Sequence, residues 1–61
     1  MADYRLHFID GQNRIQDAVD LEAEDDQHAL AAARDRRDGR KLELWQAGRR
    51  VHVFPPGGNQ S

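Results

Sequence analysis

Tyr4, Leu6 and Phe8 alternate with Arg5, His7 and Ile9, the period of two that marks a strand with one face on a core. Asp10-Gly11 signals a turn, and Arg14 to Ala23 resumes an extended pattern through Ile15, Val19 and Leu21. The alternation is poor near Asp17-Ala18, which predicts a bulge or an edge position. Together these two segments predict a hairpin closed by a loop of about two to four residues around Asp-Gly.

The pattern then changes. Glu24-Asp25-Asp26 supplies acids and a candidate N-cap, and Gln27 to Arg37 is dominated by alanine, leucine and arginine, which favour helix. Ala29, Leu30 and Ala33 fall on one helical face, with Leu30 the expected anchor. Arg34, Arg36 and Arg37 complement the helix dipole in the last turn, and Gly39 suits a left-handed residue after it. Leu42 and Leu44 alternate with Glu43 and Trp45, Ala47-Gly48 turns the chain, and Val51 and Val53 alternate with Arg50, His52 and Phe54. Pro55-Pro56 ends this second hairpin, so residues 1–54 are expected to form one domain and residues 55–61 a flexible tail.

The predicted class is α+β, in the order strand, strand, helix, strand, strand. With a right-handed crossover through the helix and the third strand beside the first, the expected fold is one antiparallel sheet of order 2-1-3-4 with the helix on one face. The helix-side core is then expected to be Tyr4, Leu6, Phe8, Ile15, Leu21, Leu30, Leu42, Leu44, Val51 and Val53, with alanines filling gaps. That core is thin. A chain of 61 residues without cysteine has no disulfide to reinforce it, so a homodimer is the expected state.

Composition narrows the function classes. Hydrophobic residues make up 38% and charged residues 33%, too apolar in the periodic segments for disorder and too polar for a membrane span. No apolar run approaches the roughly 20 residues of a transmembrane helix, and MADYRLHFID lacks the basic start and apolar stretch of a secretory signal. The cytoplasm is the expected compartment and no membrane partner is expected. There is no cysteine or threonine, and Ser61 is the single serine, which disfavours hydroxyl or thiol nucleophilic catalysis. No carboxylate spacing singles out an acid and base pair, so the chain reads as a non-enzyme with no catalytic residue and no cofactor.

The net charge of -2 conceals an asymmetry: residues 1–30 carry about -6 and residues 31–61 about +4. A helix with acids at its start and arginines at its end produces part of that split, and an electrostatic contact surface would produce the rest.

In the predicted topology the face away from the helix carries Arg5, His7 and Ile9, then Glu43 and Trp45, then Arg50, His52 and Phe54. Ile9, Trp45 and Phe54 have no helix to cover them there, and with His7, His52 and Arg50 they form the candidate interaction surface for a second copy or a different protein partner. The alternative arrangement has Trp45 curling over the hairpin end and Phe54 folding under the helix as ordinary core. Backbone pairing along the unprotected edge from Val51 to Phe54 is a second route to association.

Nucleic acid could stack on the same aromatics, but the chain is net acidic and Arg40-Lys41 and Arg49-Arg50 lie at opposite ends of the third strand, so a nucleic-acid partner is disfavoured. A metal would need His7 and His52, with Glu43 between them; two strand spacings put the histidines about 9.6 Å apart, awkward for zinc. His28 reads as a solvated or capping residue at the start of the helix.

Tyr4 to Gly11, the acidic Asp20-Leu21-Glu22, the alanine-rich helix, and Leu42 to Trp45 followed by Gly48 to Val51 together resemble a family of small uncharacterised proteobacterial proteins. Their pattern is aromatic-x-x-His-Phe-x-Asp-Gly, an acidic strand, one helix and a closing hairpin, and the likeness covers residues 4–53. The resemblance implies the strand and helix order and carries no activity or site residue. A looser likeness to small antitoxin-like domains rests on element order alone, because their glycine-rich second strand is missing here.

Overall fold

The structure is a computed structural model that describes residues 1–57. Strand β1 (Ala2–Ile9) and β2 (Ile15–Ala23) form the first hairpin, α1 (Asp26–Asp35) follows, and β3 (Lys41–Gln46) and β4 (Arg49–Phe54) form the second. All pairings are antiparallel and the sheet order is β2-β1-β3-β4, the order expected from the sequence.

Local chemistry places each boundary. Asp10 accepts the backbone N–H groups of Gln12 and Arg14 at 2.9 and 3.0 Å, and Asn13 takes a left-handed φ of 64°, so the turn between β1 and β2 is built by an Asp and an Asn. At the helix start, extended Asp25 accepts the N–H of His28 at 2.9 Å and satisfies one of the orphan donors. Between β3 and β4, Ala47 and Gly48 both have positive φ, 51° and 82°, the conformation of a two-residue hairpin turn. Pro55 and Gly57 are tied back by Arg37 and by a Gly57 N–H to Gly39 carbonyl bond of 2.8 Å; residues 58–61 of the expected tail lie outside the described residues.

The core lies between the sheet and α1. It contains Tyr4, Leu6, Phe8, Leu21, Ala23, Ala29, Ala33, Leu42, Leu44 and Phe54, and Leu6, Leu42 and Leu44 are fully buried. Ala29 and Ala33, not Leu30, make the closest helix contact: both are at 0% exposure, while Leu30 packs at the margin. Small side chains let the helix backbone approach the sheet. Tyr4 closes one end by donating its hydroxyl to Asp26 at 2.7 Å, and that bond holds the phenol pKa above its usual value.

Two bulges overturn four expected core and surface assignments, those of Ile15, Val53, His52 and Phe54. In β2, Phe8 pairs with Asp17 but Ile9 pairs with Ile15, so Gln16 is the extra residue. The slip turns Ile15 off the helix face, and it is 59% exposed. In β4, Leu44 pairs with His52 but Trp45 pairs with Arg50, so Val51 is extra. Beyond that point every side chain of β4 sits one face away from the period-two reading: Phe54 is at 4% exposure in the core, Val53 stands opposite Glu43 on the helix-free face, and His52 lies on the Phe54 side. Val51 packs against the core edge as expected.

Candidate functional site: the helix-free sheet face

Strand register arranges this face in rows that cross the sheet from β2 to β4. One row is Asp20, Arg5, Trp45, Arg50; the next is Ala18, His7, Glu43, Val53; a third is Ile15, Ile9, Lys41. The acids of β2 and the start of β1 (Asp3, Asp20, Glu22) therefore occupy one side, and the bases of β3 and β4 (Lys41, Arg50) the other. The sequence asymmetry in charge becomes a spatial one.

Glu43 organises the centre. Its side chain is only 15% exposed; one oxygen accepts the Trp45 indole N–H at 3.1 Å, and the other faces Lys41 Nζ at 3.8 Å and Arg50 at 3.7 Å. A carboxylate this enclosed is tolerable because two cations and a donor compensate it. The indole is thereby fixed in orientation, and its ring lies 6.1 Å from the His7 ring, tilted by 41°. The His7 Nδ1 is buried without a hydrogen-bond partner among the described residues. Arg5 bonds Asp20 at 3.0 Å across the β1–β2 pair. Arg5, His7, Trp45, Asp20 and Glu22 line an open groove of about 780 Å³.

Of the residues expected on the interaction surface, His7, Trp45 and Arg50 are brought together here. Phe54 and His52 are not: the β4 bulge carries both to the other face, where their rings meet edge to face at 4.6 Å. Ile9 is 4% exposed at the end of β1, in a depression shared with Gly11, Asn13 and Lys41, so it supports the face without being presented by it. The sequence reading missed Val53 and the Arg5–Asp20 pair. The first depends on the bulge, whereas the second was available from the hairpin register.

The His7, His52 and Glu43 metal set is not assembled, because His52 and His7 stand on opposite faces of the sheet; among the described residues no group of histidine and acid ligands gathers to hold a metal ion. Five of the cations are engaged by acids. Arg5 is engaged by Asp20, Arg50 and Lys41 by Glu43, Arg49 by Asp26 and Arg40 by Asp38. Arg40 also lies over the Phe8 ring at 4.5 Å, and its guanidinium holds the Asp38 carboxyl below the usual range.

Among the described residues no helix is long and apolar enough to cross a membrane. In comparison with protein-family models, curated proteins and solved structures, the chain has no significant match to any of the three.

Proposed function

We propose that this chain is a small non-enzymatic interaction module that works as a homodimer, with the helix-free face of its sheet as the contact surface. The observation that carries this reading is the placement of Trp45, the only tryptophan, on the inner strand β3 of a face that α1 leaves bare, with half-buried His7 and Val53 in the adjacent row. Tryptophan and arginine concentrate where proteins bind proteins, and an orientation already fixed by the bond to Glu43 lowers the entropy lost on binding. The size of the domain supports the same reading, since a core of this extent rarely supplies more than about 3–5 kcal/mol by itself. The broad side of the molecule, about 31 by 24 Å, is comparable with the roughly 800 Å² per partner of a standard interface.

The single tryptophan makes the test direct. On dilution of the protein, Trp45 emission should move to longer wavelength and acrylamide quenching should increase as the interface opens. Emission and quenching that stay constant from millimolar to nanomolar protein, at a solution mass of one chain, would contradict the proposal.

A further inference from the structure

The homodimer reading leaves open how two faces meet, and the rows of charge on the sheet favour the arrangement that sets the exposed Asp20 against the exposed Arg50. A symmetric face-to-face dimer has its two-fold axis in the plane of the interface. If the axis runs along the strands, between β1 and β3, rotation exchanges left and right but keeps height: β2 of one copy faces β4 of the other, and β1 faces β3. If the axis runs across the strands, each strand faces itself and height is reversed.

These two operations treat the observed rows very differently. With the axis along the strands, the row Asp20, Arg5, Trp45, Arg50 meets itself reversed. Asp20 then stands opposite Arg50 of the second copy, and Arg5 opposite its Trp45, an acid on a base and a guanidinium on an indole. The adjacent row reversed sets Ala18 against Val53 and His7 beside the enclosed Glu43, and the third row sets Ile9 against Lys41, so the complementarity of this arrangement lies in the Asp20–Arg50 and Arg5–Trp45 pairs. With the axis across the strands through the His7 row, Trp45 meets Lys41, but Glu43 opposes Glu43, and Asp20 and Arg5 oppose Ile15 and Ile9, so like charges meet and both members of the Arg5–Asp20 pair face apolar side chains.

We infer that two copies pack open face to open face about a two-fold axis parallel to the strands, paired by Asp20 and Arg50 at the edges and by Arg5 and Trp45 inside them. This inference rests on the homodimer proposal and deepens it. The twist of aligned sheets, about 30°, shifts the outer strands by about 4 Å at the roughly 7 Å that separates them from the axis. A long arginine side chain spans that offset. The side chains of Asp20 and Arg50 are 78% and 55% exposed, so their intrachain partners, Arg5 and Glu43, leave them accessible to a second copy.

Charge reversal tests the axis. In Asp20→Arg both edge contacts of the homodimer become base on base, and in Arg50→Asp both become acid on acid; each variant alone should dissociate at least 10-fold more readily than the wild type. Mixed in equal amounts, the two variants should recover a dimer of one copy of each, because every edge contact is again acid on base. Native mass spectrometry reads that composition, and circular dichroism establishes that each variant is folded. Neutral probes cover the case in which a reversed charge disturbs the fold: the chain has no cysteine, so Asp20→Cys and Arg50→Cys can be mixed and treated with a short bis-maleimide. Linkage should join the two variants, and each variant alone should link poorly to itself. A dimeric wild type whose reversed variants do not rescue each other, or whose Asp20→Cys variant links to itself as readily as to Arg50→Cys, would overturn this axis while leaving the homodimer standing. A wild type that is monomeric at all concentrations would overturn both.

Discussion

Phe54→Ala tests the β4 bulge, on which the assignment of faces depends. Phe54 is 4% exposed, pairs with Leu42 across β3 and β4, meets the His52 ring edge to face at 4.6 Å and lies 5.5 Å below the Arg37 guanidinium. Truncating a buried phenylalanine costs about 3–5 kcal/mol through lost burial and the cavity left behind. Edge-to-face and cation contacts lie within that range. A core this small rarely supplies more than about 3–5 kcal/mol. The variant should therefore be largely unfolded at 25 °C, where the wild type is folded. Urea denaturation followed by circular dichroism, at one protomer concentration because association adds stability by mass action, reads the difference. Val53→Ala, one residue away on the helix-free face, serves as the comparison and should keep a cooperative transition. If Phe54→Ala melted cooperatively within about 1 kcal/mol of the wild type, as expected for a surface residue, the face assignment of β4 would be wrong.

Other elements give independent tests. Ala47 holds a left-handed φ of 51°, a conformation that asparagine tolerates better, so Ala47→Asn should raise Tm by a few degrees, whereas Gly48→Ala should cost roughly 1–2 kcal/mol and lower it. The His28 ring donates its Nδ1–H to the Asp25 carboxylate at 2.7 Å, which raises the histidine pKa above its ordinary value, with Glu24 adding to the shift. A folded pKa above the unfolded one means that the stabilisation is full below the unfolded value and disappears as pH rises through the folded value. The converse holds for Asp25, whose pKa is lowered by the His28 backbone and ring bonds, so its stabilisation disappears as pH falls through that lowered value. In an NMR titration Asp25→Asn should return His28 toward its ordinary midpoint while keeping the helix cap; an unchanged midpoint would show that Asp25 is not the cause.

Much of this architecture was legible in the chain. Tyr4, Leu6 and Phe8 define the inward face of β1, and the acids and alanines between Glu24 and Arg37 locate the helix within two residues at either end. The sheet order β2-β1-β3-β4 matches the expectation that β3 lies beside β1. What escaped was parity. A bulge inserts one residue without changing the apolar content of a strand, yet it flips everything beyond it. Gln16 does this to Ile15, and Val51 does it to Phe54, His52 and Val53. The poor alternation near Asp17-Ala18 announced an irregularity in β2; nothing comparable marks β4, where Arg50 to Phe54 alternates cleanly and wrongly. His7, Trp45 and Arg50 were placed correctly because β1 and β3 have no extra residue, and Arg50 precedes the bulge.

The mass of the wild-type chain in solution, followed by light scattering through a dilution series at moderate salt, tests the central claim most directly. The account predicts twice the 7.0 kDa of one chain at high concentration, passing to a single chain on dilution, with Trp45→Ala at the single-chain mass throughout and its fold intact. A wild type that stays at 7.0 kDa at every concentration, or a Trp45→Ala variant that associates as the wild type does, would contradict it.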